Sequence, residues 1–357
     1  MKKKYKLTKE TIEINGHILH RIKALREINN VKVNHVIKKG DLGGYVESED
    51  NLSQDGDCWI LDDAKVYEEA TIYGNAIVLG NAKVYGQARV YGNAKIYGFS
   101  HIYECAKVYG DSEIFDYAKV YGYAKIFYSA IVYGTAKIHD GAKVYDKAKV
   151  YGDSEIFEKS EISGFSKIYN NARISGHART FNQACIYGNA HIFGYAKVLG
   201  RANIFGNATV GGSSQVYGNC NIYENASIDG HSEVYDNSDI HGVARINDKA
   251  KIGYYAGWYT KYLKQKIEIC GDVLIDGNAE IRENAIIKDR ADYAVFKNNW
   301  SSGRYFTWTK SNDMWKVGCF YGTGKQLIEK AYSDSEESGR RYEAIVKYTE
   351  TLNKQNT

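Results

Sequence analysis

Ala94-Lys95-Ile96-Tyr97-Gly98-Phe99 decides the fold, because its pattern recurs on both sides every six residues. In steps of six, every position from Ile60 to Ile252 is Ile or Val, with Thr180 the one exception. Two residues ahead of it runs a second series, Ala64, Ala70, Ala76 and onward through Ser154, Ser160 and Ser166 to Ala250, which holds only Ala, Ser or Cys. Two registers locked over that length mark an internal repeat. Side chains alternate faces along a strand, so the small and the aliphatic residue point inward, while Lys95 and Tyr97 point outward. Gly and Asn supply the positive φ that a tight corner needs. The unit is therefore a short strand and a two-residue turn, and three units close one triangular coil.

The repeat predicts an all-β parallel β-helix of about 11 coils, each rising roughly 4.8 Å. Every coil buries three Ile or Val side chains at roughly 1.5–3 kcal/mol apiece. The filled column leaves no room for a ligand, so function falls to the outer faces, the ends or an excursion. Thr180 is the one polar residue on the aliphatic series. Its hydroxyl is expected to bond a backbone carbonyl, because an unpaired buried hydroxyl is costly.

Outside the repeat the pattern changes twice. Residues 1–57 read as a small N-terminal β cap, with a hairpin around Asn15-Gly16, placed to block the open strand edges of the first coil. Residues 58–292 carry the repeat, with an aromatic excursion at 253–268, after which Ile269, Ile275, Ile281 and Ile287 resume it. The excursion holds Tyr254, Tyr255, Trp258, Tyr259 and Tyr262. It reads either as a loop laying its rings on the coil or as one that grips a ligand. Residues 293–357 read as a C-terminal α+β module: a hairpin through Phe306–Thr309 and Met314–Phe320, then helices over Lys325–Tyr332 and Arg340–Leu352.

Composition narrows the class. The net charge of +4 is close to balanced, which gives no strong case for nucleic acid or an anionic membrane. The basic start Met1-Lys2-Lys3-Lys4 has no apolar stretch behind it, so no signal peptide is expected. No apolar run is long enough to cross a membrane as a helix. The six Cys include no CxxC pair, and Cys58 and Cys220 fall on inward positions. They read as packing residues in a reducing, cytoplasmic setting.

Ile22-Lys23-Ala24-Leu25-Arg26-Glu27, Gly43-Gly44-Tyr45-Val46 and Asn51-Leu52-Ser53-Gln54-Asp55-Gly56-Asp57-Cys58-Trp59 together resemble the YdcK-like hexapeptide-repeat proteins of bacteria, which are grouped with transferases without a demonstrated reaction. The resemblance covers roughly residues 5–250. It implies a left-handed coil and a homo-oligomer, with a trimer favoured. Gly318-Cys319-Phe320-Tyr321-Gly322-Thr323 and the helices after it resemble a tail found on phage and prophage hexapeptide proteins, which implies a phage-type variant working in a host cytoplasm.

Two functions compete. The first is a non-enzymatic binding or assembly platform, with a second copy, a host protein or a small anionic ligand as partner, no membrane, and no metal or cofactor. The second, implied by the resemblance, is acyl transfer from acetyl-coenzyme A with a His as general base. His101, His139, His177, His191, His231 and His241 each substitute within an outward or turn column, the bland reading being solvated surface residues. His231 and His241 lie nearest the excursion and are the catalytic candidates. His17 and His20 are three apart on a strand, hence on opposite faces, which argues against a metal pair.

Sorted by coil, the face after Ile60 pairs an aromatic and leucine column with apolar neighbours. Its interface candidates are Trp59, Leu61, Ile77, Leu79, Tyr97, Phe115, Ile131 and Tyr133. The other two faces set their rings beside Lys, Arg and His, and desolvating such columns is expensive. Stacked Tyr would also serve stability alone, through cross-strand pairs.

Overall fold

The computed structural model describes residues 3–30, 32, 36–235, 237–253 and 266–355. The fold is a left-handed parallel β-helix of hexapeptide repeats, and the chain divides into two compact units, Met1–Asn189 and Ala190–Thr357.

In the first unit, two-residue rungs recur from Trp59–Ile60 to Cys185–Ile186. Each pairs in parallel with rungs one coil away, as Lys95 does with Ile77 and Glu113. The second residue of every rung is buried. Where Ser replaces Ala in the small series, its hydroxyl turns back to the carbonyl three residues earlier, as Ser100 does to Tyr97 O (2.9 Å) and Ser154 to Tyr151 O (2.9 Å). Thr180 does not follow: it is fully buried and its Oγ1 has no partner, contrary to the expected carbonyl bond. It stands in the aliphatic slot as the second residue of the rung Arg179–Thr180, two residues past the small series, so its hydroxyl faces the apolar column.

The corners explain which residues replace glycine. Gly98 has φ 70°, and a Cβ there would lie 2.8 Å from Asp116 N. Asp116 occupies the same slot one coil on with φ 56°, and its carboxylate accepts the Gly134 N–H at 3.1 Å. Glu104 does the same for Gly122 (2.8 Å). The strain of a left-handed residue is thus offset by a hydrogen bond to the next coil.

The coil starts earlier than the aliphatic series suggests. Leu42–Val46 (β3) already pairs in parallel with Lys65–Val66, and Leu52 bridges Ile72. The first rungs of the coil therefore lie at the end of the segment expected as a cap. The hairpin of Tyr5–Ile14 (β1) and His17–Ala24 (β2), turned at Asn15 (φ 52°) and Gly16 (φ 86°), pairs antiparallel with β3 and covers its edge. Lys4 is buried at this end, donating to Cys58 O (3.0 Å) and reaching Cys58 Sγ (3.1 Å), so Cys58 does more than pack.

In the second unit, rungs run from His191–Ile192 to Lys251–Ile252 and resume with Lys266–Ile269, which pairs with Asn237–Ile240. The ladder therefore restarts at Lys266, inside the expected excursion of 253–268. Its last rungs, Glu280–Ile281 and Ile286–Ile287, are closed by side chains. Thr307 Oγ1 accepts the Glu280 N–H (3.0 Å), Ser311 Oγ accepts the Ile286 N–H (2.7 Å), and Asn312 donates to Glu283 O (2.7 Å). Thr307 lies on a strand, and Ser311 and Asn312 in the following turn, of a four-stranded antiparallel sheet, Tyr293–Lys297, Tyr305–Thr309, Met314–Val317 and Phe320–Thr323. Helices α1 (Gly324–Asp334) and α2 (Glu336–Gln355) pack on it around Phe306, Trp315, Leu327, Tyr342 and Val346.

Candidate functional site: ring-lined faces and a histidine cluster

The face after Ile60 is not open along its length. Trp59 and Ile77, read as outward interface residues, are both 0% exposed. The N-terminal segment packs on Trp59 and on the corner beside Ile77. The Tyr5 ring meets Trp59 edge-on at 6.1 Å, and the Asn30 side chain donates to Asp57 O (2.7 Å) and Asn75 O (2.8 Å) across the adjoining corner. Leu61, Leu79, Tyr97, Phe115, Ile131 and Tyr133 remain half-exposed. Only this shortened column is available to a partner.

The rings lie face to face. Tyr97, Phe115, Tyr133 and Tyr151 stack at 4.7, 4.9 and 4.7 Å, and Tyr73, Tyr91, Tyr109, Phe127 and Tyr145 do so on another face at 4.7–5.1 Å. The spacing is that of neighbouring strands. Each ring face is thus taken by the next ring, and a partner meets edges and hydroxyls. Burial pushes the phenols of Tyr97, Tyr103 and Tyr169 up to about 12, which keeps them as protonated donors.

Several histidines have structural work. His139 is sandwiched between Tyr121 (4.7 Å) and Phe157 (5.3 Å), with Nε2 3.4 Å from Glu155. His17 binds Glu47 at 2.9 Å, and that hydrogen bond raises its pKa. His101 is pushed the other way, by burial and by Lys83 and Lys119. Of the two catalytic candidates, His231 is an exposed turn residue, whereas His241 is half-buried in a ring column.

His241 stacks on Tyr223 at 4.7 Å. Its Nδ1 lies 3.7 Å from Glu224 Oε2, and that oxygen is fixed by the Gly242 N–H at 2.8 Å. Its Nε2 lies 3.9 Å from Glu268 Oε1, which is also 3.9 Å from Cys270 Sγ. The donor atoms of His241, Glu268 and Cys270 all fall within 4.8 Å of one another. A tetrahedral zinc site needs ligand edges of roughly 3.4–3.6 Å, so small rotations would let the three hold one divalent cation. Glu224 would then orient the imidazole from behind. Burial and Glu268 raise the Cys270 thiol, so a metal would have to displace its proton. The sequence reading assigned no metal residues. It missed this cluster because Glu268 and Cys270 lie beyond the break, and only the pairing of Ile240 with Ile269 puts Cys270 one rung above His241.

The loop residues Tyr254, Tyr255, Trp258, Tyr259 and Tyr262 lie outside the described residues. Among the described residues, no helix is long and apolar enough to cross a membrane.

No family model matches the sequence, and no curated protein does. A solved structure titled "Activity and Crystal Structure of Arabidopsis UDP-N-acetylglucosamine acyltransferase" is similar over 54% of this chain and 70% of its own, at 16% identity and a TM-score of 0.25. At that level the likeness carries nothing about chemistry. The repeat and the coil together make this a hexapeptide-repeat β-helix protein.

Proposed function

We propose that the chain is a non-enzymatic β-helical binding and assembly platform that associates with copies of itself, as a trimer, through the column from Leu61 to Tyr187. The observation that carries this is the locked ring ladder on that face, Tyr97 to Tyr187, flanked by half-exposed Ile131. Side chains already immobilised by their neighbours lose little entropy on contact, and a stripe repeated on each subunit suits closed symmetry. Light scattering of the purified chain tests it: a trimer is expected, and a monomer at micromolar concentration overturns it. A host protein or small anionic ligand on the same column would appear as a partner of the monomer instead.

One observation favours a second reading, a coenzyme A-dependent acyltransferase. His241 is backed by Glu224, the arrangement a general base uses. Binding of acetyl-coenzyme A in calorimetry, with turnover lost in His241→Ala, would install this reading in place of the first.

A further inference from the structure

The column that runs Tyr73, Tyr91, Tyr109, Phe127, Tyr145 has one missing ring. The next rung carries Ser163, and the one after it returns to an aromatic, Phe181. Below the gap the rings stack within 6° of parallel. Two rungs of strand spacing set the Tyr145 and Phe181 backbone positions about 9.6 Å apart. A ring placed midway would sit about 4.8 Å from each, the spacing of the ladder itself. The gap is a cavity of about 320 Å³ lined by Tyr145, Asp146, Glu161, Ser163, Arg179 and Phe181, among others.

The walls are held apart. Glu161 bridges Lys143 (2.8 Å) and Arg179 (3.5 Å) along one side, and Asp146 takes the Gly164 N–H (3.1 Å) at the corner. Ser163 is 9% exposed and forms the floor. A ringless rung in the second unit behaves differently. At Gly211 a Cβ would meet Phe193 Cζ at 2.2 Å, because the neighbouring ring has fallen over the glycine. The space at Ser163 is thus a kept gap, not a necessary result of losing a ring.

We infer that the missing rung at Ser163 is a binding slot for one planar, amino-bearing heteroaromatic ring of the nucleobase class, which completes the stack between Tyr145 and Phe181. Both faces of the guest are covered by aromatic rings, a contact that every base can make. Its edge meets the Glu161 carboxylate, which accepts from an exocyclic amine, and the Arg179 guanidinium, which donates to a ring nitrogen or carbonyl. The site does not depend on self-association, since its residues lie on a different face from the Leu61–Tyr187 column.

Saturation-transfer NMR and calorimetry with adenosine, cytidine and p-cresol on the full chain test the slot. Adenosine and cytidine are expected to bind in the millimolar range or tighter, and at least tenfold better than p-cresol. Ser163→Tyr supplies the ladder's own ring, so it should raise the melting temperature and cut nucleoside affinity at least tenfold. Ser163→Ala keeps the gap and should stay within threefold of the wild type. No nucleoside binding, or unchanged affinity in Ser163→Tyr, overturns the slot. Binding of p-cresol as tight as adenosine overturns the nucleobase class.

Discussion

The face after Ile60 carries different chemistry in the two units. In the first, the ring column Tyr97–Tyr187 runs beside Lys95, Glu113, Ile131, Lys149 and Lys167. In the second, Phe205 and Tyr223 give way to His241 and Cys270, beside a polar ladder in which Asn203 donates to Asn221 (3.0 Å) and Asn221 to Asp239 (2.7 Å). On this face the inward aliphatic slot holds Ile or Val in both. One backbone slot therefore serves packing in one unit and ligand-type donors in the other, because an outward position is free of the core and answers only to its neighbours a rung away.

The comparison breaks most sharply within a single column. Ile77 and Ile131 occupy the same slot, three rungs apart, yet Ile77 is buried and Ile131 is half-exposed. Ile77→Lys places an unpaired charge in a buried slot beside the N-terminal segment and is expected to cost about 3–5 kcal/mol in denaturant unfolding. Ile131→Lys with Tyr133→Lys should leave the melting temperature within a few degrees while weakening the trimer at least tenfold by light scattering. Equal destabilisation by the two lysines at 77 and 131 would refute the burial difference.

In the second unit, the donor cluster is probed by cobalt(II). Thiolate-to-cobalt absorption should appear on titration and vanish in Cys270→Ala, and Glu224→Ala should lower affinity by about 10–100-fold. A titration that leaves the spectrum flat removes the metal from the comparison.

A smaller effect appears at high pH. Tyr97, Tyr103 and Tyr169 of the first unit have folded phenols near 12, above the ordinary value of 10.0. A folded pKa above the unfolded one means their stabilisation is complete below pH 10 and is lost as pH rises toward 12. Alkaline unfolding followed by circular dichroism should therefore begin above pH 10, and replacing Tyr103 with Phe should delay it slightly. The smallest change is Thr180→Val, which removes an unpartnered hydroxyl and should stabilise by about 1 kcal/mol.

The rungs and corners were legible because each inward slot tolerates so few side chains. What escaped was position across gaps. Val46 and Leu52 keep the six-residue step, but the step from Leu52 to Ile60 is eight, so the first coil falls out of phase and reads as a cap. Nothing in Trp59 or Ile77 announces that a distant segment packs on or beside them, since outwardness is local and coverage is not. The cluster at His241 needed the register beyond the break. The gap at Ser163 stood in the sequence as a missing aromatic, but whether neighbouring rings would close over it depended on side-chain positions, as Phe193 over Gly211 illustrates.

Where a corner residue is Asp or Glu, its carboxylate ties one coil to the next, as Glu104 does with Gly122 and Asp116 with Gly134. The first unit is in that sense a ruler with graduations of one coil. Excising one full coil between Ala82 and Ala172 would shorten the ruler and leave every column aligned. Excising a single hexad would turn all later columns by a third of a revolution, setting rings over lysines and acids over the wrong amides. Within that stretch, whole coils can be removed with the faces kept in register, and anything less breaks every column at once.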